Sequence, residues 1–179
     1  KEVLCISTNG ELSDLNIPIT TDAKIKLHKF EDNEGKHAFW HTSAHILAEA
    51  IELLFPGTKF GIGPAIENGF YYDIELPNDK VLSENDFETI NKKMQELCLA
   101  DNKVERKEIS KAEAIKYFEA KGDNYKLELI SELEDGTITF YSSGSFVDLC
   151  RGPHLPSTGH IKAIKVLSLA GAYWRGDEK

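Results

Sequence analysis

The chain has 179 residues, with 21 Lys+Arg against 30 Asp+Glu for a formal net charge of −9, and it is 41% apolar and 28% charged. That length suits one ordinary domain with a smaller companion, and the composition excludes wholesale disorder. No apolar run reaches the roughly 18 residues of a membrane span, and three cysteines argue for a reducing compartment over a disulfide scaffold. Net acidity lowers the expectation of a nucleic-acid partner, because phosphate attraction dominates such binding.

Val3 to Ile6, Ile17 to Ile19 and Ile25 to Phe30 are β-branched or apolar runs that predict short strands, with Asn9-Gly10 as a turn. This opening is too small to hold a core alone and reads as the end of a β-rich module. Glu31 to Lys36 is polar and contains Gly35, which makes it the expected joint: residues 1–36 before, 37–179 after. A helix is predicted from Trp40 to Phe55, where Ala44, Leu47, Ala48, Ile51, Leu54 and Phe55 recur at helical spacing before Pro56-Gly57. The glycine-punctuated Phe60 to Pro64 precedes a predicted strand from Gly69 to Leu76. Ser83 with Asp86 opens a second helix whose stripe is Phe87, Ile90, Met94, Leu97 and Cys98; Ser110 with Glu113 opens a third. After Gly122 the texture predicts strands at Tyr125–Ile130, Thr137–Tyr141, Phe146–Cys150 and Ile161–Leu169, with a hairpin turn at Asp135-Gly136. Helices followed by an antiparallel run indicate an α+β domain. The chain begins at Lys1 and stops soon after Tyr173-Trp174-Arg175-Gly176, so it reads as a piece of a longer protein.

The chemistry-bearing pattern lies in two matched spacings. His41 and His45, at i and i+4, share one helix face, and Cys150 and His154 flank Gly152-Pro153, a turn that folds them toward each other. Four such donors are the kind tetrahedral zinc prefers. Taken singly, a His pair is common on helix surfaces and a lone Cys is usually a small buried hydrophobe. Together they point to one site. Two chemistries remain open for it. Zinc could polarise a carbonyl or activate water, or a neutral His could act as general base on a water attacking an ester. Asp148 could orient a histidine or receive a polar substrate, and Lys126, expected at a loop-to-strand junction, could steady an oxyanion. His28, His37 and His160 lack any such pattern and are expected at the surface.

From Leu149 to Gly176 there is no Asp or Glu, while Arg151, Lys162, Lys165 and Arg175 fall there beside Tyr173 and Trp174. A basic, aromatic strip on an acidic chain suits a nucleic-acid backbone as well as it suits a strand with wet lysines.

The segments His41-Thr42-Ser43-Ala44-His45, Phe60 to Asp73, Gly122 to Lys126 and Asp148 to His154 resemble the editing domain of bacterial threonyl-tRNA synthetases. The ending Ala170 to Gly176 is similar to that family's passage into its catalytic core, and Lys1 to Phe30 resembles the second half of its small β-grasp (TGS-type) module. The resemblance implies an antiparallel sheet with packed helices that hydrolyses serine mischarged onto threonine tRNA. It places editing residues at His41, His45, Lys126, Asp148, Cys150 and His154, and substrate-binding positions at Gly63, Tyr72 and Arg151. It further implies an editing site without a metal, whereas alanyl relatives hold zinc with the matching His/Cys set, here His41, His45, Cys150 and His154. ATP, and the zinc of the synthetase itself, belong to the catalytic core outside this chain. Cytoplasmic location, a dimeric full enzyme, tRNA(Thr) and the rest of the synthetase as partners, and no membrane, are implied likewise. The rival readings are a zinc-binding hydrolase or zinc-structured domain, and a passive tRNA-binding appendage.

Overall fold

A computed structural model describes residues 2–171. The chain opens with β1 (Cys5–Thr8), β2 (Glu11–Ser13) and β3 (Ile25–His28), an antiparallel sheet in the order β2-β1-β3. Asn9 and Gly10, both at positive φ, form the two-residue turn, since Thr8 pairs with Glu11 across it. The strand after that turn is therefore Glu11–Ser13 and not the expected Ile17–Ile19, whose isoleucines are exposed. Leu4 and Cys5 belong to the same buried cluster as Ala38, Ile46 and Ile51, so the small sheet shares its core with the larger domain.

Helix α1 (Asn33–Leu54) begins inside the segment expected to be a polar joint. Gly35 is buried in its first turn because a Cβ there would run into the backbone of Lys29. The glycine thus marks close packing of the helix on the backbone just after β3, and its polar neighbours are a helix's wet first turn. Four short strands come next: β4 (Lys59–Phe60), β5 (Ala65–Ile66), β6 (Gly69–Phe70) and β7 (Ile74–Glu75). The single strand expected from Gly69 to Leu76 is split, because β6 pairs back on β5 while β7 pairs with β4.

Helix α2 (Phe87–Ala100) starts after the expected Ser83/Asp86 capping box and buries Ile90, Met94, Leu97 and Cys98 against α1. Strand β8 (Val104–Glu108) was hidden in a charged stretch: it is an edge strand, and Val104 is its one buried residue. Helix α3 (Lys111–Lys121) carries the Ser110/Glu113 capping box. Helix α4 (Asn124–Ser131) stands where a strand was expected. Gly122 in the left-handed conformation ends α3, and the Asp123 side chain accepts the Lys126 N–H to start α4. This stop-and-restart outweighs the modest β propensity of the stretch. It also makes Asp135-Gly136 a helix-to-strand connection, and the true hairpin turn is Gly144-Ser145 between β9 (Thr139–Ser143) and β10 (Phe146–Leu149).

The larger sheet has the order β10-β9-β8, all antiparallel. Strand β10 divides the molecule's two cores. Phe146 joins the cluster of α1 and α2, while Val147 and Leu149 pack on the cluster formed by Ala114, Phe118, Ile130, Ile138 and Phe140. Period-two alternation therefore aims Asp148, like Phe146, toward α1. Beyond β10, the expected strand over Ile161–Leu169 is an extended segment that forms no ladder among the described residues. It is held by α2 side chains, as where Asn91 Oδ1 accepts the Val166 N–H at 2.7 Å. Tyr173, Trp174 and Arg175 lie outside the described residues. Within the described ones, Arg151, Lys162 and Lys165 are exposed, and no helix is long and apolar enough to cross a membrane.

Candidate active site

The site forms where α1, the end of β10 and the first turn of α4 meet. On α1 the i, i+4 spacing sets the His41 and His45 rings 5.3 Å apart, centroid to centroid. The turn after β10 returns His154 beneath them, 4.3 Å from each ring. Cys150 Sγ lies 3.2 Å from His41 Nε2 and 3.1 Å from His154 Nε2, and accepts the Gly152 N–H. The two spacings read in the sequence thus converge on one point.

Burial sets the protonation of this group. It lowers the pKa of His41 to about 3, helped by neighbouring His45 and His37, and that of His45 to about 4, against the pull of Asp148. His154 is pushed well below the ordinary imidazole value by burial and then by its two sister histidines. Burial raises the Cys150 thiol far above its usual range. At neutral pH the cluster is three neutral imidazoles and a thiol.

A second, charged group adjoins it. Lys126 sits in the first turn of α4, not at a strand, and its Nζ lies 2.5 Å from Asp148 Oδ1, both side chains being buried. Lys126 also donates to the Tyr72 hydroxyl at 3.1 Å, and that hydroxyl donates in turn to Asp148 Oδ2. The Leu149 N–H reaches Asp148 Oδ1 at 2.8 Å, and His45 Nε2 stands 3.4 Å from Oδ2. Burial drives the Asp148 carboxyl upward, but Lys126, His45 and the hydrogen bonds from Lys126 and Tyr72 outweigh it and hold it below the carboxylate range. Tyr72 is raised well above its ordinary value by burial and by Asp148. Gly63 packs against Tyr72: a Cβ there would overlap the phenol ring.

These groups wall a cavity of about 400 Å³ that His41, His45, Gly63, Tyr72, Lys126, Asp148, Cys150 and the exposed Arg151 line together. All nine residues singled out from the sequence meet here, eight on its wall and His154 directly behind Cys150.

Four residues that support the site escaped the sequence reading. Thr42, one residue after His41, donates its hydroxyl to the Ala38 carbonyl at 2.8 Å and accepts the Leu155 N–H at 2.9 Å. With its proton committed, Thr42 Oγ1 can only accept from His154 Nδ1, 3.1 Å away. His154 is therefore the Nδ1–H tautomer and turns an Nε2 lone pair toward Cys150. Asp123 caps α4 and also accepts the Phe60 N–H at 2.9 Å, fixing the turn that carries Lys126 against β4. Asp14, from the loop after β2, accepts the His154 N–H at 2.6 Å and the Tyr141 hydroxyl at 2.7 Å. Asp123 had a partial signal, a Gly-Asp pair closing the helical run of α3; Thr42, Asp14 and Tyr141 had none. Of the three histidines expected at the surface, His37 is exposed and His160 half-buried. His28 is fully buried, with Ser7 Oγ 2.7 Å from its Nε2, because it closes the small sheet against α1.

The donor set fits a metal. One nitrogen of each of His41, His45 and His154 and Cys150 Sγ all lie within 4.8 Å of one another. Tetrahedral zinc, with bonds of about 2.0–2.3 Å, separates its donors by roughly 3.3–3.8 Å. The lone pair at His154 Nε2 suits a metal as well as it suits a thiol proton.

Comparison with known proteins finds relatives of the sequence that carries this geometry. Residues 138–179 match the model of the threonyl and alanyl tRNA synthetase second additional domain. The whole chain is 62% identical to threonine–tRNA ligase of Parabacteroides distasonis and 59% identical to that of Porphyromonas gingivalis, covering 27% of each. It is 58% identical to the Cytophaga hutchinsonii ligase, covering 28% of it. By sequence the chain is similar over its whole length to a segment of about 27% of these threonine–tRNA ligases, and its residues 138–179 match the second additional domain.

Proposed function

We propose that this chain is a hydrolytic editing domain that removes serine from mischarged threonine tRNA. The observation that carries the reading is the Lys126–Asp148–Tyr72 triad opening, beside neutral His41, into a cavity of about 400 Å³. That volume is in the range of small-molecule sites and suits the aminoacylated end of a tRNA. Serine keeps threonine's hydroxyl and lacks one methyl, which is worth only modest discrimination in a single binding step, so a second, hydrolytic site has to act.

In this reading a water held between His41 and Lys126 attacks the seryl ester carbonyl, the acyl–oxygen bond to the ribose breaks, and the ribose oxygen leaves with the proton that His41 took from the water, freeing serine and the tRNA. His41, kept neutral by burial, has an imidazole lone pair with which to take the water's proton. Lys126 has three N–H donors, of which Asp148 and Tyr72 use two, leaving one for the water or the developing oxyanion. Asp148 first fixes Lys126 and Tyr72, then reads the seryl amine or hydroxyl along the edge that His45 approaches. Cys150 and His45 shape the floor with His154 backing Cys150, Gly63 and Tyr72 form one wall, and Arg151 stands at the rim toward the tRNA. The partners are seryl-tRNA(Thr) and the rest of a synthetase, in a homodimer. ATP-dependent charging with threonine, and the zinc of that reaction, belong to the remaining length of the relatives.

The compact donor set supports a second reading, zinc held by His41, His45, Cys150 and His154. Bound there, zinc would polarise a carbonyl or acidify a water. The metal-free reading is preferred because Lys126 already supplies a buried cation beside the cluster, and a divalent ion would stand against it. Deacylation of seryl- and threonyl-tRNA with and without chelator tests both. Hydrolysis of the seryl ester alone, indifferent to chelation, supports the proposal; stoichiometric zinc without deacylation replaces it with the second reading. Undiminished hydrolysis by His41→Ala or Lys126→Ala removes that residue from the catalytic list.

A further inference from the structure

We infer that Asp14, carried by the small N-terminal sheet, is a positioning residue for the site: it clamps the Cys150–His154 turn in place across the interface between that sheet and the larger domain. The geometry is specific. One carboxylate oxygen of Asp14 takes the backbone N–H of His154 at 2.6 Å; the other takes the hydroxyl of Tyr141 at 2.7 Å. Tyr141 stands directly opposite Asp148 in the β9–β10 ladder, and its ring lies 4.5 Å from that of His154. Its hydroxyl also fills the space a side chain at position 152 would need, which is why the turn passes through a glycine at positive φ there. Asp14 thus holds the turn twice, once by its backbone and once through the aromatic ring that backs it.

Asp14 is itself buried, at 7% exposure, although it belongs to a loop of a small sheet whose outer face is largely exposed. A carboxylate is costly to bury unless its oxygens are matched by donors, and here both are. Charge-assisted bonds of this kind hold a backbone N–H to a narrow position. Reacting groups tolerate little displacement, since about 1 Å of misplacement costs on the order of 10²-fold in rate. The consequence is that the small sheet takes part in building the site: without Asp14, the His154 N–H and the Tyr141 hydroxyl lose their common anchor, and Cys150 is free to leave His41.

In its catalytic part the inference rests on the editing reading, so the test also has readouts independent of catalysis. Wild-type chain is compared with Asp14→Ala, Asp14→Asn and Tyr141→Phe. Asn keeps an oxygen for the His154 N–H and offers an N–H to the phenol oxygen, so it should restore the clamp. Asp14→Ala is expected to lower kcat for seryl-tRNA hydrolysis about 10²-fold with KM little changed. It should also shift the His154 backbone amide resonance upfield and speed iodoacetamide alkylation of Cys150 severalfold. Asp14→Asn should recover most of each change, and Tyr141→Phe should fall between. Wild-type kcat and an unmoved His154 amide in Asp14→Ala overturn the inference, as does an Asn variant as impaired as the Ala variant. Should Asp14→Ala fail to fold, Tyr141→Phe decides: an unchanged His154 amide and unchanged Cys150 alkylation overturn the clamp. If wild-type chain hydrolyses no seryl-tRNA, the editing reading falls, while the amide shift and alkylation rate still settle the clamp.

Discussion

Lys126 and Asp148 form an ion pair at 2.5 Å with side-chain exposures of 3% and 4%, joining the first turn of one helix to the edge strand of a sheet. Desolvating two charges is expensive, and the fold meets that cost by surrounding the carboxylate with Tyr72, the Leu149 N–H and His45. The pair is therefore both a structural joint and the charged wall of the cavity.

Removing one partner should expose this. Lys126→Met leaves the Asp148 charge buried and uncompensated, and is expected to destabilise the chain by about 3–5 kcal/mol in urea unfolding. Adding Asp148→Asn to Lys126→Met should recover most of that loss, because the remaining groups are neutral, while leaving hydrolysis abolished. A double variant as unstable as the single one would show that the charge is not the source of the penalty.

Thr42 makes a different prediction. Thr42→Val keeps the shape but removes the oxygen that accepts from Leu155 and His154. Two buried donors then lack a partner, which is expected to cost about 1–3 kcal/mol each. Nitrogen-15 spectra of the imidazoles should show His154 losing its pure Nδ1–H form, and seryl-tRNA hydrolysis should fall. An unaltered His154 signal would exclude Thr42 as the group that sets the tautomer.

Asp123 supports Lys126 from below. Asp123→Ala removes the cap of α4 together with the acceptor for the Phe60 N–H, an expected loss of about 1–3 kcal/mol. Asp123→Asn retains an acceptor oxygen and should cost well under half as much. The check is thermal unfolding with amide exchange of the α4 first turn: faster exchange in the Ala variant and near wild-type exchange in the Asn variant.

Glu49 governs a pH dependence. It is buried on α1 beside the β9–β10 turn, and burial raises its pKa from 4.5 to about 7 against the Ser145 N–H and Ser143 hydroxyl. A carboxyl whose pKa is higher in the folded state holds its proton there while the unfolded chain has released it. Its contribution is therefore most favourable below pH 4.5, declines as pH rises toward 7, and is constant above that. The full span corresponds to ~3 kcal/mol at most. Glu49→Gln should flatten the stability profile between about pH 5 and 8 and make the chain more stable than wild type at about pH 8. A wild-type profile in the Gln variant would rule Glu49 out as the titrating group.

Much of the molecule was determined by the sequence itself, and the features that were legible share a cause: they are local. The Asn9-Gly10 turn, the Ser83 and Ser110 capping boxes and the buried stripe of α2 depend on residues within a few positions of each other, as does the His41/His45 pairing. Features set by distant partners were not legible. The segment Ile161–Leu169 has strand composition, but α2 side chains take its backbone, and no ladder forms among the described residues. Lys126 was recognised as a residue, yet its helix was missed, since the stop at Gly122 and restart at Asp123 override the β-like texture beyond them. The net charge of −9 says nothing of the exposed Arg151, Lys162 and Lys165 on an acid-free stretch, because a sum carries no positions. Only tertiary structure decided that the two donor pairs meet, that Lys126 answers Asp148, and that Asp14, 140 positions before His154, holds the turn between them. Such contacts are fixed by packing two cores on either side of β10, and packing is a property of the whole chain.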